Sequence, residues 1–110
     1  MSPKAYISHS VAAILQALAN GYQYGFDIMD ITGLPSGTVY PALRRLEETG
    51  LIDSKWEKAG IAQREQRPPR KYYDLTPDGK DALAEAVKRY RHLENIVPHA
   101  SKIKPSRQRG

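Results

Sequence analysis

Apolar residues recur every three or four positions in the first third of the chain, which is the spacing of an amphipathic helix. A first helix is expected to begin at Ser8 or Ser10 and to end at Asn20 and Gly21, because these residue types favour helix caps. Its apolar positions are Val11, Ile14, Leu15 and Leu18. A second, shorter helix is predicted over residues 24–31. The first helix is expected to act as scaffold.

The next segment, residues 34–50 (LPSGTVYPALRRLEETG), combines a turn, a helix start and two chemically different faces. Pro41 is expected early in this helix, because a proline is well tolerated only in the first turn, and the exact first residue is left open. Gly50 is expected to end the helix in a left-handed conformation. One face is apolar and comprises Val39, Ala42, Leu43 and Leu46. The other face offers the hydroxyl and guanidinium groups of Thr38, Tyr40, Arg44 and Arg45.

Two short helices joined to residues 34–50 by a tight turn give the order of a helix-turn-helix, so this segment is predicted to be a DNA recognition helix. Hydroxyl and guanidinium groups on its outer face can bind phosphates and base edges. The ordinary alternative is an amphipathic core helix whose charged residues are only solvated. That alternative stays open for the segment taken alone.

After Gly50 the pattern changes from helical to extended, and residues 51–57 and 70–75 predict a β-hairpin with a long polar tip. The tip is expected to be irregular, because Pro68 and Pro69 interrupt strand pairing. The segment from Glu57 to Lys71 contains five basic residues and two acidic ones, Glu57 and Glu65. The basic residues are Lys58, Arg64, Arg67, Arg70 and Lys71. A helix-turn-helix followed by a basic hairpin is the winged-helix arrangement, whose wing contacts the phosphate backbone, although the same tip taken alone would be a solvated loop.

A final helix is predicted from Thr76 as N-cap and Pro77 as first helical residue to a stop at Pro98, about twenty residues in all. Its apolar edge comprises Leu83, Ala86, Val87, Tyr90, Leu93 and Val97. This edge is longer than a small core can cover, so the helix is predicted to mediate dimerisation. The alternative is that it folds back on the first helix of a monomer. The chain is thus divided into a DNA-binding domain (1–75), a dimerisation helix (76–98) and a basic tail expected to be disordered (99–110).

Composition narrows the function classes further. The net charge of +5 over 110 residues favours a polyanionic partner for what is expected to be one domain. The absence of cysteine excludes disulfides and thiolate chemistry, and with no signal peptide or membrane span in the sequence the expected location is the cytoplasm. The three histidines lack acidic co-ligands at metal spacing, so no metal, cofactor or enzymatic activity is expected. The predicted fold class is α+β, mainly α: a winged helix-turn-helix with a C-terminal dimerisation helix.

Two segments carry a family resemblance: LPSGTVYPALRRLEETGLIDS from Leu34 and PPRKYYDLTPDGKDAL from Pro68. They resemble the winged-helix core of PadR-type transcriptional regulators, and the similarity covers roughly residues 14–90. One departure is Tyr24, where the family often has histidine. A second is the single C-terminal helix, which resembles the short subclass of the family.

The resemblance implies a homodimeric repressor that binds an inverted-repeat operator on double-stranded DNA and is often released by a small aromatic or drug-like molecule. It places Ser36, together with Thr38, Tyr40 and Arg44, on the DNA-facing helix. For an effector it suggests a cavity near the dimer interface lined by Trp56 or Tyr90. The alternative from another functional class is a winged-helix module that binds a protein partner through the same wing.

Overall fold

Three helices form the N-terminal half of the fold in the computed structural model, which describes residues 7–90 and residue 96. They are α1 (His9–Ala19), α2 (Gly25–Thr32) and α3 (Ser36–Glu48). The Ser8 hydroxyl accepts a hydrogen bond from the Val11 amide at 3.2 Å, so Ser8 is the N-cap of α1. Gly33 and Gly50 have φ angles of 75° and 81°, which confirms the glycine stop signals after α2 and α3.

The start of α3, which the sequence left open, is Ser36. Pro41 is the sixth residue of the helix and lies in its second turn, later than the first turn in which a proline is best tolerated. The helix begins earlier because the amides of Thr38 and Val39 both donate to the Pro35 carbonyl, at 2.9 and 3.0 Å. Pro41 has no N–H for the Gly37 carbonyl, yet the helix continues. The predicted inner face is confirmed, since Val39, Ala42, Leu43 and Leu46 are all buried.

Two antiparallel strands, β1 (Ile52–Trp56) and β2 (Lys71–Leu75), form the predicted hairpin. The register pairs Ile52 with Leu75 and Trp56 with Lys71. Between them lies a helix, α4 (Ala59–Arg64), where an irregular tip was expected. The prediction did not include this helix, whose segment contains the apolar residues Ile61 and Ala62, and Ala62 is buried.

The last helix, α5 (Pro77–Arg89), begins as predicted, with the Thr76 hydroxyl accepting from the Gly79 amide at 3.0 Å. It has thirteen residues rather than about twenty. The backbone becomes extended at Tyr90, whose hydroxyl donates to the Ile7 carbonyl at 2.9 Å. The helix thus ends at Arg89, although the apolar period continues in the sequence. The predicted positions Leu93 and Val97 and the tail 99–110 lie outside the described residues.

The core is organised around α1, which contacts α2, α3, α5 and β2. Most of α1 is buried, namely Ala12, Ala13, Ile14, Leu15, Ala17 and Leu18. On α2, by contrast, the side chain of Phe26 is 60% exposed. Across residues 7–90 and 96 the helices are too short or too polar to span a membrane.

A close contact joins α5 to the turn between α3 and β1. The Thr76 hydroxyl donates to the Gly50 carbonyl at 2.7 Å, and the Thr76 amide donates to the Leu51 carbonyl at 3.1 Å. Gly79 lies so near that a Cβ atom at this position would overlap the Leu51 carbonyl oxygen. The absence of a side chain at Gly79 therefore sets how closely α5 approaches the start of the hairpin.

Candidate nucleic-acid interface

The outer face of α3 is open to solvent. Ser36, Tyr40, Arg44 and Arg45 are exposed and Thr38 is half-buried, so the structure places all five predicted residues away from the core. Within residues 7–90, neither arginine takes part in an ion pair. A guanidinium group with no internal acceptor can bind a phosphate or a guanine edge.

Tyr40 is held at the crossing of α2 and α3. Its side chain is 43% exposed, yet a Cβ atom at Gly25 would lie only 2.6 Å from its Cε1 atom. The Tyr40 ring therefore packs on the bare backbone of Gly25, at the first residue of α2. The hydroxyl end takes part in the same contact, since its oxygen would lie 2.7 Å from that Cβ atom.

The wing tip, residues 57–70, carries two basic side chains that point to solvent. Lys58 precedes α4 and Arg64 is its last residue, and both are exposed. In the part of the chain that the structure describes, neither forms an ion pair. These two residues match the prediction of cations available to a phosphate backbone.

Arg67 is placed differently, because its guanidinium binds inside the wing tip. Its two terminal nitrogens donate to the two carboxylate oxygens of Glu57 at 2.7 and 2.9 Å, and its Nε donates to Glu65 at 2.9 Å. The Glu57 side chain is only 3% exposed. The hydrogen bond from Arg67 lowers the pKa of Glu57 to about 2, and the same bond raises the pKa of Arg67.

Arg70 and Lys71 also have partners within the protein. The Arg70 guanidinium stacks on the Tyr24 ring, 4.5 Å from its centre, and a hydrogen bond with Tyr72 raises the pKa of Arg70. Lys71 Nζ lies 3.6 Å from a Glu47 carboxylate oxygen at the end of α3. These contacts tie the wing to α2 and α3.

Two acidic residues take part in the contacts of the wing although the sequence pattern did not single them out. Glu57 lies opposite Arg70, one step beyond the Trp56–Lys71 pair, and its amide donates to the Arg70 carbonyl at 2.9 Å. The sequence signal for this role was the position of Glu57, an acidic residue at one end of a segment rich in basic residues. Glu47 was also missed, although it accepts from Ser54 as well as contacting Lys71.

The predicted dimerisation residues fall into three environments. Leu83 and Ala86 are buried against the core of their own chain. Val87 is 38% exposed at an apolar groove of about 500 Å³ between the end of α1 and α5. The groove is lined by Ala19, Leu75, Lys80, Leu83, Ala84 and Val87. Tyr90 is half-buried, with its ring edge-on to His9 at 5.3 Å.

The two residues suggested for an effector contact different parts of the fold. Trp56 ends β1, is 62% exposed and has Lys71 Nζ 5.8 Å from its ring centre. Tyr90 instead contacts the start of α1 through Ile7 and His9. Among residues 7–90 and 96, no three His, Asp or Glu side chains are grouped as a metal site would require.

Comparison with known proteins gives consistent matches. The family model described as the transcriptional regulator PadR-like family matches residues 14–85. A PadR family transcription regulator from Clostridium difficile R20291 is 29% identical, with 81% of this chain and 94% of that chain covered and a TM-score of 0.65. A PadR-like transcription factor from Bacteroides fragilis is 30% identical, with 77% and 82% covered and a TM-score of 0.61.

A more distant structure shares the fold alone. The adhesin competence repressor of Streptococcus pyogenes is 16% identical, with 82% of this chain and 62% of that chain covered and a TM-score of 0.63. No curated protein sequence matches the chain significantly. The likeness to this repressor is therefore one of fold without close sequence similarity.

Proposed function

Since the chain belongs to the PadR-like family of transcriptional regulators, we propose that it is a homodimeric repressor that binds an inverted-repeat operator. Members of this family are DNA-binding regulators of transcription and not enzymes. The observation that carries the proposal is the outer face of α3, where Arg44 and Arg45 are exposed and form no ion pair within residues 7–90.

In the proposed complex the two α3 helices of a dimer enter successive major grooves, about 34 Å apart. Thr38, Tyr40 and Arg44 face the bases, and Ser36 lies at the helix start near the backbone. The exposed wing cations Lys58 and Arg64 bind the flanking phosphates. Direct base contacts then come from α3, while the wing adds affinity that depends on salt.

The dimer contact is proposed on the α5 side of the molecule. The groove beside Val87 supports it, because an apolar groove along an exposed helix favours burial against a second subunit. Tyr90 lies at the end of the same helix. The buried residues Leu83 and Ala86 would then support the interface from below. Because the target is operator DNA, we place the regulator in the cytoplasm.

A small aromatic or drug-like molecule is the proposed release signal, and Trp56 and Tyr90 are the proposed contacts. Trp56 supports this role because a large exposed indole offers a stacking surface. A ligand that changed the dimer geometry would change the separation of the two α3 helices. Trp56 is the only tryptophan, so quenching of its fluorescence by candidate compounds tests the role directly. Compounds that release DNA without quenching would contradict it.

The proposed function is tested by gel retardation on the DNA upstream of the chain's own gene, with random DNA of equal length as control. We expect preferential binding to the upstream DNA, by a dimer in sedimentation of the complex. For about eight phosphate contacts, affinity should fall about 10³- to 10⁵-fold between about 50 and 200 mM salt. Equal binding to both fragments would contradict an operator, and no binding to either would favour the protein-partner alternative.

A further inference from the structure

The positive charges of the wing tip are divided between two kinds of environment. Lys58 and Arg64 are exposed, whereas the side chain of Arg67 is 19% exposed and forms ion pairs with Glu57 and Glu65. Its Nε and its two terminal nitrogens already donate to Glu65, to Glu57 and to the Pro68 carbonyl, so four of its five N–H groups are occupied. Arg67 is therefore a poor candidate for a direct DNA contact.

Glu57 joins the two ends of the wing tip. Its carboxylate accepts from both terminal nitrogens of Arg67 and from the backbone amide of Arg70 at 3.0 Å. Its own amide donates to the Arg70 carbonyl, so Glu57 is bonded to the Arg70 backbone through both its main chain and its side chain. A carboxylate that is 3% exposed needs these donors, because an unpaired buried charge is strongly unfavourable.

The same pair determines where α4 lies. The helix ends in a Schellman motif, in which Gln66 is left-handed at φ 54° and the Arg67 amide donates to the Ala62 carbonyl at 3.1 Å. Arg67 thus binds α4 through its backbone and Glu57 through its side chain. Lys58 directly follows Glu57, and Arg64 is the last residue of α4. Both exposed cations are attached to the segment that the pair fixes.

We propose that Glu57 and Arg67 are positioning residues for DNA binding, which hold α4 so that Lys58 and Arg64 reach the phosphate backbone. Arg67 itself makes no phosphate contact in this arrangement. The inference rests on the proposed DNA-binding function and adds a role that the number of basic residues does not provide. It also assigns a function to an acidic residue within a basic wing.

The sign of the effect separates this proposal from simple electrostatics. Glu57→Gln removes a negative charge from the wing, and Arg67→Lys keeps the positive charge while removing the planar fork that binds a carboxylate at two points. If charge alone decided binding, the first variant would bind DNA more tightly and the second equally well. If the pair positions α4, both variants bind more weakly.

The experiment measures the affinity of full-length wild type and both variants for the upstream DNA over about 50 to 200 mM salt. We expect about a tenfold fall in affinity for Glu57→Gln, with a log–log salt slope lower by about 0.9 for each phosphate that the variant no longer neutralises. Arg67→Lys should show a smaller fall in the same direction. Affinities equal to or higher than that of wild type in both variants would overturn the proposal.

A second measurement separates positioning from general destabilisation. In the Glu57→Gln background, Arg64→Ala should have little further effect on affinity, because Arg64 no longer reaches its phosphate. Arg44→Ala should cost the same in both backgrounds, since α3 is not held by this pair. Full additivity of Glu57→Gln with Arg64→Ala would overturn the proposal. Thermal unfolding of each variant shows that it is folded, and Arg67→Lys is the milder change.

The matched control is Asp53→Asn, which removes a negative charge from an exposed position on β1 of the same wing. This variant should bind DNA as tightly as wild type or slightly more tightly. A wild type that binds no DNA would overturn the proposed function and this inference with it. A wild type that binds while Glu57→Gln and Arg67→Lys keep its affinity would overturn the inference alone.

Discussion

Helix α3 and the wing tip carry positive charge in two different ways. On α3, Arg44 and Arg45 extend from a helix whose other face is buried, and within residues 7–90 they form no ion pair. In the wing, Arg67 is bound to acidic residues of the tip and Arg70 is stacked on an aromatic ring. The difference shows that the number of cations in a segment is not the number available to a nucleic acid.

The two regions differ because they are stabilised by different forces. The inner face of α3 buries Val39, Leu43 and Leu46, and the helix contacts α1, α2 and β1, so apolar packing fixes the helix and its outer residues stay free. The wing tip buries little apolar surface beyond Ala62. It is therefore held by charge-assisted hydrogen bonds, which use some of the side chains that could otherwise bind phosphate.

The largest expected effect comes from disrupting the close contact between α5 and Leu51, which lies between α3 and the hairpin. Gly79→Ala would push a Cβ atom into the Leu51 carbonyl oxygen, which is backbone and cannot move aside without shifting β1 relative to α5. We expect the free energy of unfolding to fall by about 3 kcal/mol, the upper part of the range for overpacking. Urea denaturation followed by circular dichroism measures the change.

Gly60→Ala is the matched control, because the nearest atom to a Cβ atom there is an Arg64 side-chain nitrogen at 3.9 Å. Alanine stabilises a helix interior by up to about 1 kcal/mol relative to glycine, so this variant should be neutral or slightly more stable. Equal stability of the Gly79→Ala and Gly60→Ala variants would show that α5 does not approach Leu51 as closely as the structure indicates.

A second prediction tests the comparison between α3 and the wing directly. Arg44→Ala should weaken binding to the upstream DNA by about 1 to 3 kcal/mol and relax the preference for one base pair, because an arginine fork distinguishes guanine. Arg64→Ala should weaken binding to all sequences alike and lower the salt slope by about 1. Affinity measurements on single-base variants of the upstream DNA give the base preference, and the same measurements at several salt concentrations give the salt slope. If the two substitutions had the same sequence dependence, the proposed division of roles would be wrong.

Local sequence signals predicted the ends of most elements, because caps act within a few residues. The Ser8 and Thr76 caps and the glycine after α3 lie where their chemistry predicts. The end of α5 could not be predicted in this way. Tyr90, where the backbone becomes extended, donates a hydrogen bond to Ile7, which is remote in sequence. Periodicity continues past such a residue and contains no information about the contact.

The exposure of the basic side chains was predicted well on α3 and less well in the wing. On a helix, burial of one face determines which residues are exposed, and the apolar pattern of α3 defined that face. In the wing, the fate of each cation depends on the hairpin register, which brings Glu57 opposite Arg70. Without the pairing of Trp56 with Lys71, the sequence does not show that Glu57 lies opposite Arg70.

A third prediction concerns the contact that orients α3 on α2. Gly25→Ala should lower the free energy of unfolding by about 1 kcal/mol, because a Cβ atom would lie 2.6 Å from the Tyr40 ring, whose exposed end can move. In a Tyr40→Ala background the same substitution should have no cost, since the obstructing ring is absent. Thermal unfolding of the two single variants and the double variant measures this coupling. A penalty that persists without the ring would assign the role of Gly25 to its backbone and not to Tyr40.

The smallest expected effect is a pH dependence confined to the wing tip. The pKa of Glu57 lies at about 2, below its ordinary value of 4.5. As the pH falls below about 4.5, an unfolded chain binds a proton at Glu57 while the folded chain does not, so the pair's contribution to stability declines until the pH reaches about 2. Above about pH 5 this contribution is fully present.

The Arg70 amide reports this titration, because it donates to the Glu57 carboxylate at 3.0 Å. Its NMR chemical shift should remain constant from neutral pH to about pH 4 and then change with a midpoint near 2. In Glu57→Gln this step should be absent, whereas the Asp53→Asn variant should keep it. A midpoint near 4.5 in wild type would mean that Arg67 does not hold the carboxylate in solution. Arg67 would then be as free to bind a phosphate as Arg44 is on α3, and the contrast between wing and recognition helix would disappear.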